Sequence, residues 1–168
     1  MKKSLMTKAQ LAIGMILLLG AVVSLAQDQP APKAAGGENA MLYSVDTEKS
    51  LPNIREALPK ACAARKFGVL SVIDLKEKMK EKGVDYAGEC LIFEVCNPQK
   101  AKQTLEANPE ISTALPCRIS VFKTKEGKTR LSTIRPSKLI DLFGTPELKH
   151  VAGEVEDSIT AIMNEAAR

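Results

Sequence analysis

The sequence contains only one histidine, His150, among its 168 residues. A single histidine excludes the HExxH metal site and the Cys₂His₂ zinc site, because both need two. No GxSxG segment accompanies it, so a Ser-His-Asp triad is not indicated. The phosphate-binding patterns GxxxxGKS/T and GxGxxG are also missing. The common hydrolases and nucleotide-dependent enzymes are therefore disfavoured, no cofactor is indicated, and the sequence leans away from an enzyme. His150 itself shares a polar helix side with Glu154 and Asp157, as expected for a surface residue.

The first 26 residues have the pattern of a secretory signal peptide. Lys2, Lys3 and Lys8 precede a nearly uncharged apolar run at residues 11–23, and small residues follow at positions 24 and 26. The run is shorter than the roughly 20 residues that a membrane-spanning helix needs. We therefore expect cleavage after Ala26 and a periplasmic or secreted protein. An uncleaved N-terminal anchor is the alternative.

Cleavage would remove most of the net charge. The formal charge of +4 includes three lysines of the signal peptide, and 21 basic and 20 acidic residues would remain. Aromatic residues make up only 4% of the chain and do not alternate with basic ones. Nucleic acid is therefore not an expected partner, and no membrane association is expected after cleavage. Residues 27–40 are rich in Pro, Ala, Gly and Gln and predict a flexible leader, so a single folded domain is expected at 41–168.

The hydrophobic pattern of residues 41–168 predicts an α+β domain. Strands are expected at 41–45, 67–73, 90–96, 117–124 and 129–134, with helices after Ser50, Asp74, Asn97, Pro136 and Thr145. The last two strands are joined by a short turn at 125–128 and should form an antiparallel hairpin. The order βαβαβαββαα therefore favours a mostly antiparallel sheet with helices packed on one face. Pro59 is expected to kink the first helix.

Four cysteines, Cys62, Cys90, Cys96 and Cys117, are the main candidates for chemistry. In an exported protein they are disulfide candidates with three possible pairings, and no Cys-x-x-Cys motif selects one. Cys96 ends a strand just before the helix cap Asn97, where a helix dipole favours a thiolate. Cys62 lies on an apolar helix face and Cys90 shares strand parity with Ile92, so core packing or a second disulfide is expected for them.

Three segments resemble the domain-of-unknown-function 302 (DUF302) family. They are Phe93-Glu94-Val95-Cys96-Asn97-Pro98, Leu105-Glu106-Ala107-Asn108-Pro109-Glu110 and Leu115-Pro116-Cys117-Arg118-Ile119-Ser120-Val121. Phe67-Gly68-Val69-Leu70 and Ile134-Arg135-Pro136 match as well, so the resemblance covers about residues 41–166. It implies a small α+β domain with an antiparallel sheet that associates as a homodimer, and it implies no established activity.

Three functions remain open for the region around Cys96 and Cys117. Cys96, Asn97, Pro98, Cys117 and Arg118 could line a pocket for an anion, a small thiol compound or a soft metal ion, the metal being unspecified. Alternatively, Cys96 and Cys117 could cycle between dithiol and disulfide with a thiol partner. The third interpretation is structural, with Cys96 and Cys117 forming a disulfide staple or staying buried free thiols.

Arginines offer a further candidate site for an anionic ligand. Arg118, Arg130 and Arg135 could converge on such a ligand, although solvated strand residues are the commoner explanation of such arginines.

Overall fold

The computed structural model describes residues 41–168, so the predicted signal peptide (1–26) and leader (27–40) lie outside the described residues. The strands are β1 (Leu42–Thr47), β2 (Gly68–Asp74), β3 (Cys90–Cys96), β4 (Cys117–Lys123) and β5 (Thr129–Ile134). The α-helices are α1 (Leu51–Ala63), α2 (Leu75–Lys80), α3 (Pro98–Ala107), α4 (Pro136–Ile140) and α5 (Lys149–Ala167). Short 3₁₀ helices occupy Pro109–Ala114, Asp141–Phe143 and Pro146–Leu148.

The five strands form one sheet in the order β1-β5-β4-β3-β2, and every neighbouring pair is antiparallel. The predicted α+β class and the β4–β5 hairpin are therefore confirmed. The chain crosses the whole sheet between its two edge strands, β1 and β2, and α1 makes that connection. The apolar strand β3 has neighbours on both sides, as its sequence indicates, although the middle strand is β4.

The helices begin where polar side chains cap them. Ser50 Oγ accepts the N–H of Asn53 at 3.3 Å, and an Asp74 carboxylate oxygen accepts that of Glu77 at 3.2 Å. Asn97 caps α3 in the same way. Each cap satisfies backbone donors that the first turn of a helix leaves free. The three predicted caps are confirmed.

The helix α1 contains Pro59 and continues past it to Ala63, and the kink at Pro59 stays a prediction. The start of the last helix differs from the predicted one. The last helix begins at Lys149, after a separate 3₁₀ turn, because Thr145 does not cap it. The Thr145 hydroxyl instead donates to the carbonyl oxygen of Phe143 at 3.1 Å and accepts a hydrogen bond from Asn108 Nδ2 at 3.2 Å.

The main core lies between one face of the sheet and the helices α1 and α5. Its fully buried side chains come from alternate strand positions and from both helices: Val45, Ile54, Leu58, Phe93, Val95, Ile119, Val121, Leu131, Ile159, Ile162 and Met163. A second, smaller cluster joins the 3₁₀ helix 109–114 to α4 and α5. It consists of Ile111, Ile140, Leu148, Val151 and Ala152.

The opposite side of the sheet is the open face, presented by the strand residues that alternate with the core positions. Ser44 and Ser132 share a hydrogen bond of 2.8 Å there. Leu42 and Ile134 are cross-strand neighbours on this face and are 48% and 47% exposed. Within residues 41–168, no helix is long and apolar enough to cross a membrane.

Candidate functional site

Cys96 and Cys117 lie at the same end of the sheet, on neighbouring strands. Cys117 opens β4 opposite Val95, and Cys96 is the next residue along β3. Side chains alternate along a strand, so Cys117 shares the core face with Val95 while Cys96 is directed to the open face. Cys117 accordingly packs against the main core. Both are free thiols in this structure. The predicted proximity in the fold is therefore found, but the two thiols do not share a face.

The amino end of α3 has its donors already occupied. Asn97 Oδ1 accepts the N–H groups of Gln99 and Lys100, both at 3.1 Å. Pro98 has no N–H, and the N–H of Ala101 donates to the carbonyl oxygen of Asn97 at 2.9 Å. An anion needs free N–H groups at a helix start. The N–H groups of the first turn of α3 all have partners within the protein, so the geometry gives no support to an anion site built on them.

The thiols of Cys96 and Cys117 are held in their protonated form. Burial raises the pKa of Cys96 above its ordinary value. Burial, with a smaller contribution from negative charge on the nearby Cys96, raises the pKa of Cys117 to about 11. The expectation of a lowered pKa at Cys96 is therefore wrong. The pKa of Cys96 is raised because burial desolvates the sulfur, which penalises the charged thiolate.

A cavity of about 390 Å³ opens beside Cys117. It lies between the ends of β4 and β5, the 3₁₀ helix 109–114, α4 and the first half of α5, against the second hydrophobic cluster. Its wall is predominantly apolar and includes Ile111, Leu139, Phe143 and Val151. The peptide bond between Leu115 and Pro116, which enters this wall, is cis. The cavity is thus a concave apolar site at one end of the domain.

The predicted site residues divide between the cavity and the rest of the surface. Cys117 and Arg118 line the cavity, whereas Cys96, Asn97 and Pro98 are not among its lining residues. The helix α3 contributes through Thr104, two turns further along. A pocket does therefore adjoin Cys117, but α4 and α5 form its walls where the start of α3 was expected.

The three candidate arginines do not converge. Arg130 binds both oxygens of Asp46, at 2.6 and 2.8 Å, and this hydrogen bonding lowers the pKa of that carboxyl. Arg135 donates to Glu156 at 2.7 Å and its guanidinium stacks over a tyrosine ring, 5.3 Å from the centroid. Arg118 pairs with Glu94, at 3.3 Å, and it alone of the three reaches the cavity. Three separate ion pairs replace a common arginine site.

The remaining cysteines are separated by the sheet. Cys62 is fully buried in the main core, and burial raises its pKa to about 11. Cys90 shares the open face with Ile92 and lies 3.6 Å from the hydroxyl of Ser120. All of the cysteines are free, and no group of three potential metal ligands occurs in residues 41–168. Cys62 is a core residue as predicted, whereas Cys90 belongs to the opposite surface.

The sequence and the fold both match a known protein family. The family model described as "Domain of unknown function DUF302" matches residues 43–166. The chain belongs to the DUF302 family. A solved structure described as an uncharacterised conserved DUF302 protein from Bacillus stearothermophilus is 31% identical, with a TM-score of 0.71. The match covers 76% of this chain and 98% of that one. No curated protein matches the sequence.

Sequence reasoning missed most of the cavity wall. The missed residues come from α3, the segment 111–116, the end of β5, α4, α5 and the turns between these two helices: Thr104, Ile111, Thr113, Ala114, Leu115, Pro116, Thr133, Ile134, Pro136, Leu139, Ile140, Phe143, Leu148, Val151, Ala152 and Val155. One signal was present, because Ile134 and Pro136 belong to a segment that carries the DUF302 resemblance. Leu115, Pro116 and Cys117 belong to another such segment. The predicted β4–β5 hairpin brings these two segments together, because the start of β4 lies beside the end of β5. The packing of α4 and α5 that completes the cavity is long-range and is not evident from the sequence.

Proposed function

We propose that this DUF302 domain binds a small, largely apolar molecule in the cavity beside Cys117. The observation that carries the proposal is the cavity itself, which is concave, apolar and built where two segments of the family pattern meet. Its volume of about 390 Å³ lies within the range of about 300–1,000 Å³ common for small-molecule sites. Its wall also includes a few polar residues, Arg118 and three threonines, as such sites commonly do.

The helices α4 and α5 that form the cavity wall are fixed to the rest of the domain, which indicates a preformed pocket. The helix α5 presents Val151 to the cavity while its later residues are buried in the main core, so this wall is fixed to the rest of the domain. The helix α4 is held against α5 because Glu156 accepts hydrogen bonds from Arg135 at 2.7 Å and from the Ser137 N–H at 3.2 Å. A preformed pocket loses less conformational freedom on binding.

The thiol-based alternatives receive less support. Soft-metal binding and disulfide exchange both require a thiolate at neutral pH. The raised pKa values of Cys96 and Cys117 oppose this. Cys117 then contributes to the cavity as a small, weakly polar wall residue.

Export and self-association remain part of the proposal. The N-terminal sequence supports a periplasmic or secreted domain of residues 41–168 preceded by a leader. The homodimer implied by the family resemblance is supported by the open face, where Leu42 and Ile134 stand exposed side by side. Apolar side chains grouped on one sheet face are typical of surfaces that are covered in the assembled protein.

The test is to fill the cavity and measure binding of N-phenyl-1-naphthylamine, a neutral apolar fluorophore. Ala152 lines the cavity, so Ala152→Phe should weaken the affinity at least tenfold, and Ala114→Phe provides a second filling variant. Ala63→Phe, on the exposed end of α1, is the matched control and should bind like the unsubstituted protein. Equal affinity in all variants, with cooperative thermal unfolding retained, would overturn the proposal.

A further inference from the structure

The hydrogen-bonding groups of the cavity restrict the chemistry of its ligand. Three threonine hydroxyls line it, and each already donates to a backbone carbonyl: Thr104 to Lys100 at 2.8 Å, Thr113 to Glu110 at 2.9 Å and Thr133 to Arg118 at 2.8 Å. A hydroxyl has one proton to donate. These side chains can therefore accept hydrogen bonds from a ligand but cannot donate without losing an existing bond.

Arg118 is the strong side-chain donor that remains at the cavity. Among residues 41–168 it is the one charged residue that lines the cavity, and no carboxylate from this part of the chain joins it there. Cys117, next to it, stays an uncharged thiol because burial raises its pKa to about 11. Arg118 alternates with Cys117 along β4, so its side chain is directed to the open face, where Glu94 and Ile134 also lie. Because Arg118 and Ile134 both line the cavity, the cavity meets the open face at these two residues.

The guanidinium of Arg118 is only partly engaged. Its Nε donates to Glu94 Oε1 at 3.3 Å, and the side chain is 67% exposed. The Glu94 side chain is only 19% exposed, but the guanidinium is solvated and the Nε–Oε1 contact is long, so another anion can compete for Arg118. The other oxygen of Glu94 accepts a hydrogen bond from Ser71 at 2.7 Å, which gives this carboxylate a partner after the exchange.

From these observations, and resting on the proposed function, we propose that the ligand is an amphiphile with an apolar body and one anionic group. The body occupies the cavity, and the anionic group binds the guanidinium of Arg118 at the edge in competition with Glu94. A cavity of about 390 Å³ lies at the small end of the range of about 300–1,000 Å³ found for small-molecule sites. Small chains of about a dozen non-hydrogen atoms are suitable for a site of this size, so decanoate and its uncharged counterpart 1-decanol serve as probes.

The test measures how well each probe displaces N-phenyl-1-naphthylamine at pH 7.5. The readout is the ratio of the decanol Kd to the decanoate Kd, which removes effects of a variant on the cavity itself. We expect a ratio of about ten for the unsubstituted protein, falling to about one in Arg118→Gln and rising in Glu94→Gln. The exposed Arg55, on α1, gives the control Arg55→Gln with the same change of charge and an unchanged ratio.

The outcomes separate this inference from the proposed function. Equal displacement by both probes leaves the proposed function intact and overturns the anionic group. A preference for decanoate that survives in Arg118→Gln overturns the role of Arg118. If neither probe displaces the fluorophore, or if the fluorophore does not bind, the proposed function fails and this inference with it. Fluorophore binding that is lost as protein concentration rises would mean that a second copy fills the cavity, which also overturns the inference.

Discussion

The thiol of Cys117 shows how a single residue's surroundings decide its chemistry. Burial raises its pKa to about 11, well above the ordinary value of about 8.5. Only the thiolate reacts with an alkylating agent, and the thiolate fraction rises about tenfold per pH unit below the pKa. Cys117 should therefore be a slow nucleophile at neutral pH.

Site-resolved iodoacetamide labelling, read by peptide mass spectrometry, tests this. The rate at Cys117 should keep rising between pH 7 and pH 10 in the folded protein. In urea-unfolded protein the same residue should level off at a lower pH, near its ordinary pKa of about 8.5. A folded-state rate that is already constant by pH 8 would contradict the raised pKa and would restore the redox interpretation.

At the scale of the elements, Glu156 joins α4 to α5. Burial alone would raise its pKa, but hydrogen bonds from Ser137 and Arg135 outweigh burial and lower it. Because the folded pKa lies below the unfolded one, this contribution to stability is present above pH ~4.3 and is lost as the pH falls through the folded pKa. The contact therefore stabilises the cavity wall at neutral pH and weakens in acid.

The substitution Glu156→Gln should lower the free energy of unfolding by about 1.5 kcal/mol at pH 7 and should loosen α4. Denaturant unfolding at pH 7 and pH 3 measures the effect, and the difference from the unsubstituted protein should shrink at pH 3. Glu154→Gln, on the exposed side of the same helix, is the matched control and should leave stability unchanged within error. Equal losses at both pH values would show that the ionised carboxylate is not what holds α4.

The elements could be predicted from the sequence because their signals are local. Caps at Ser50, Asp74 and Asn97, and alternating or helical apolar spacing, specify strands and helices within a few residues. The site could not be predicted in the same way. The sequence predicts the cap at Asn97, but the Asn97 side chain occupies the N–H donors that the predicted anion site needs. The cavity depends on α4 and α5 meeting the ends of β4 and β5, which is a long-range arrangement.

At the scale of the whole molecule, the sheet has one face buried by helices and one open face. If the open face joins two copies, light scattering should give twice the mass of one mature chain at tens of micromolar protein. Leu42→Arg places a charge on that face. Association should weaken at least tenfold, because the guanidinium would have to be desolvated in the interface. Val84→Arg changes a similarly exposed apolar residue outside the sheet and should not weaken association. A monomeric unsubstituted protein would contradict this assembly.

The central claim is that the cavity beside Cys117, and not the start of α3, is the binding site. The most direct measurement is the change in backbone amide NMR shifts of the isotope-labelled domain on titration with 1-decanol. We predict saturable shifts concentrated at Cys117, Thr133, Ile140 and Ala152, with residues 97–100 unaffected. Shifts centred on residues 96–100, or no saturable shifts at the cavity, would contradict the account.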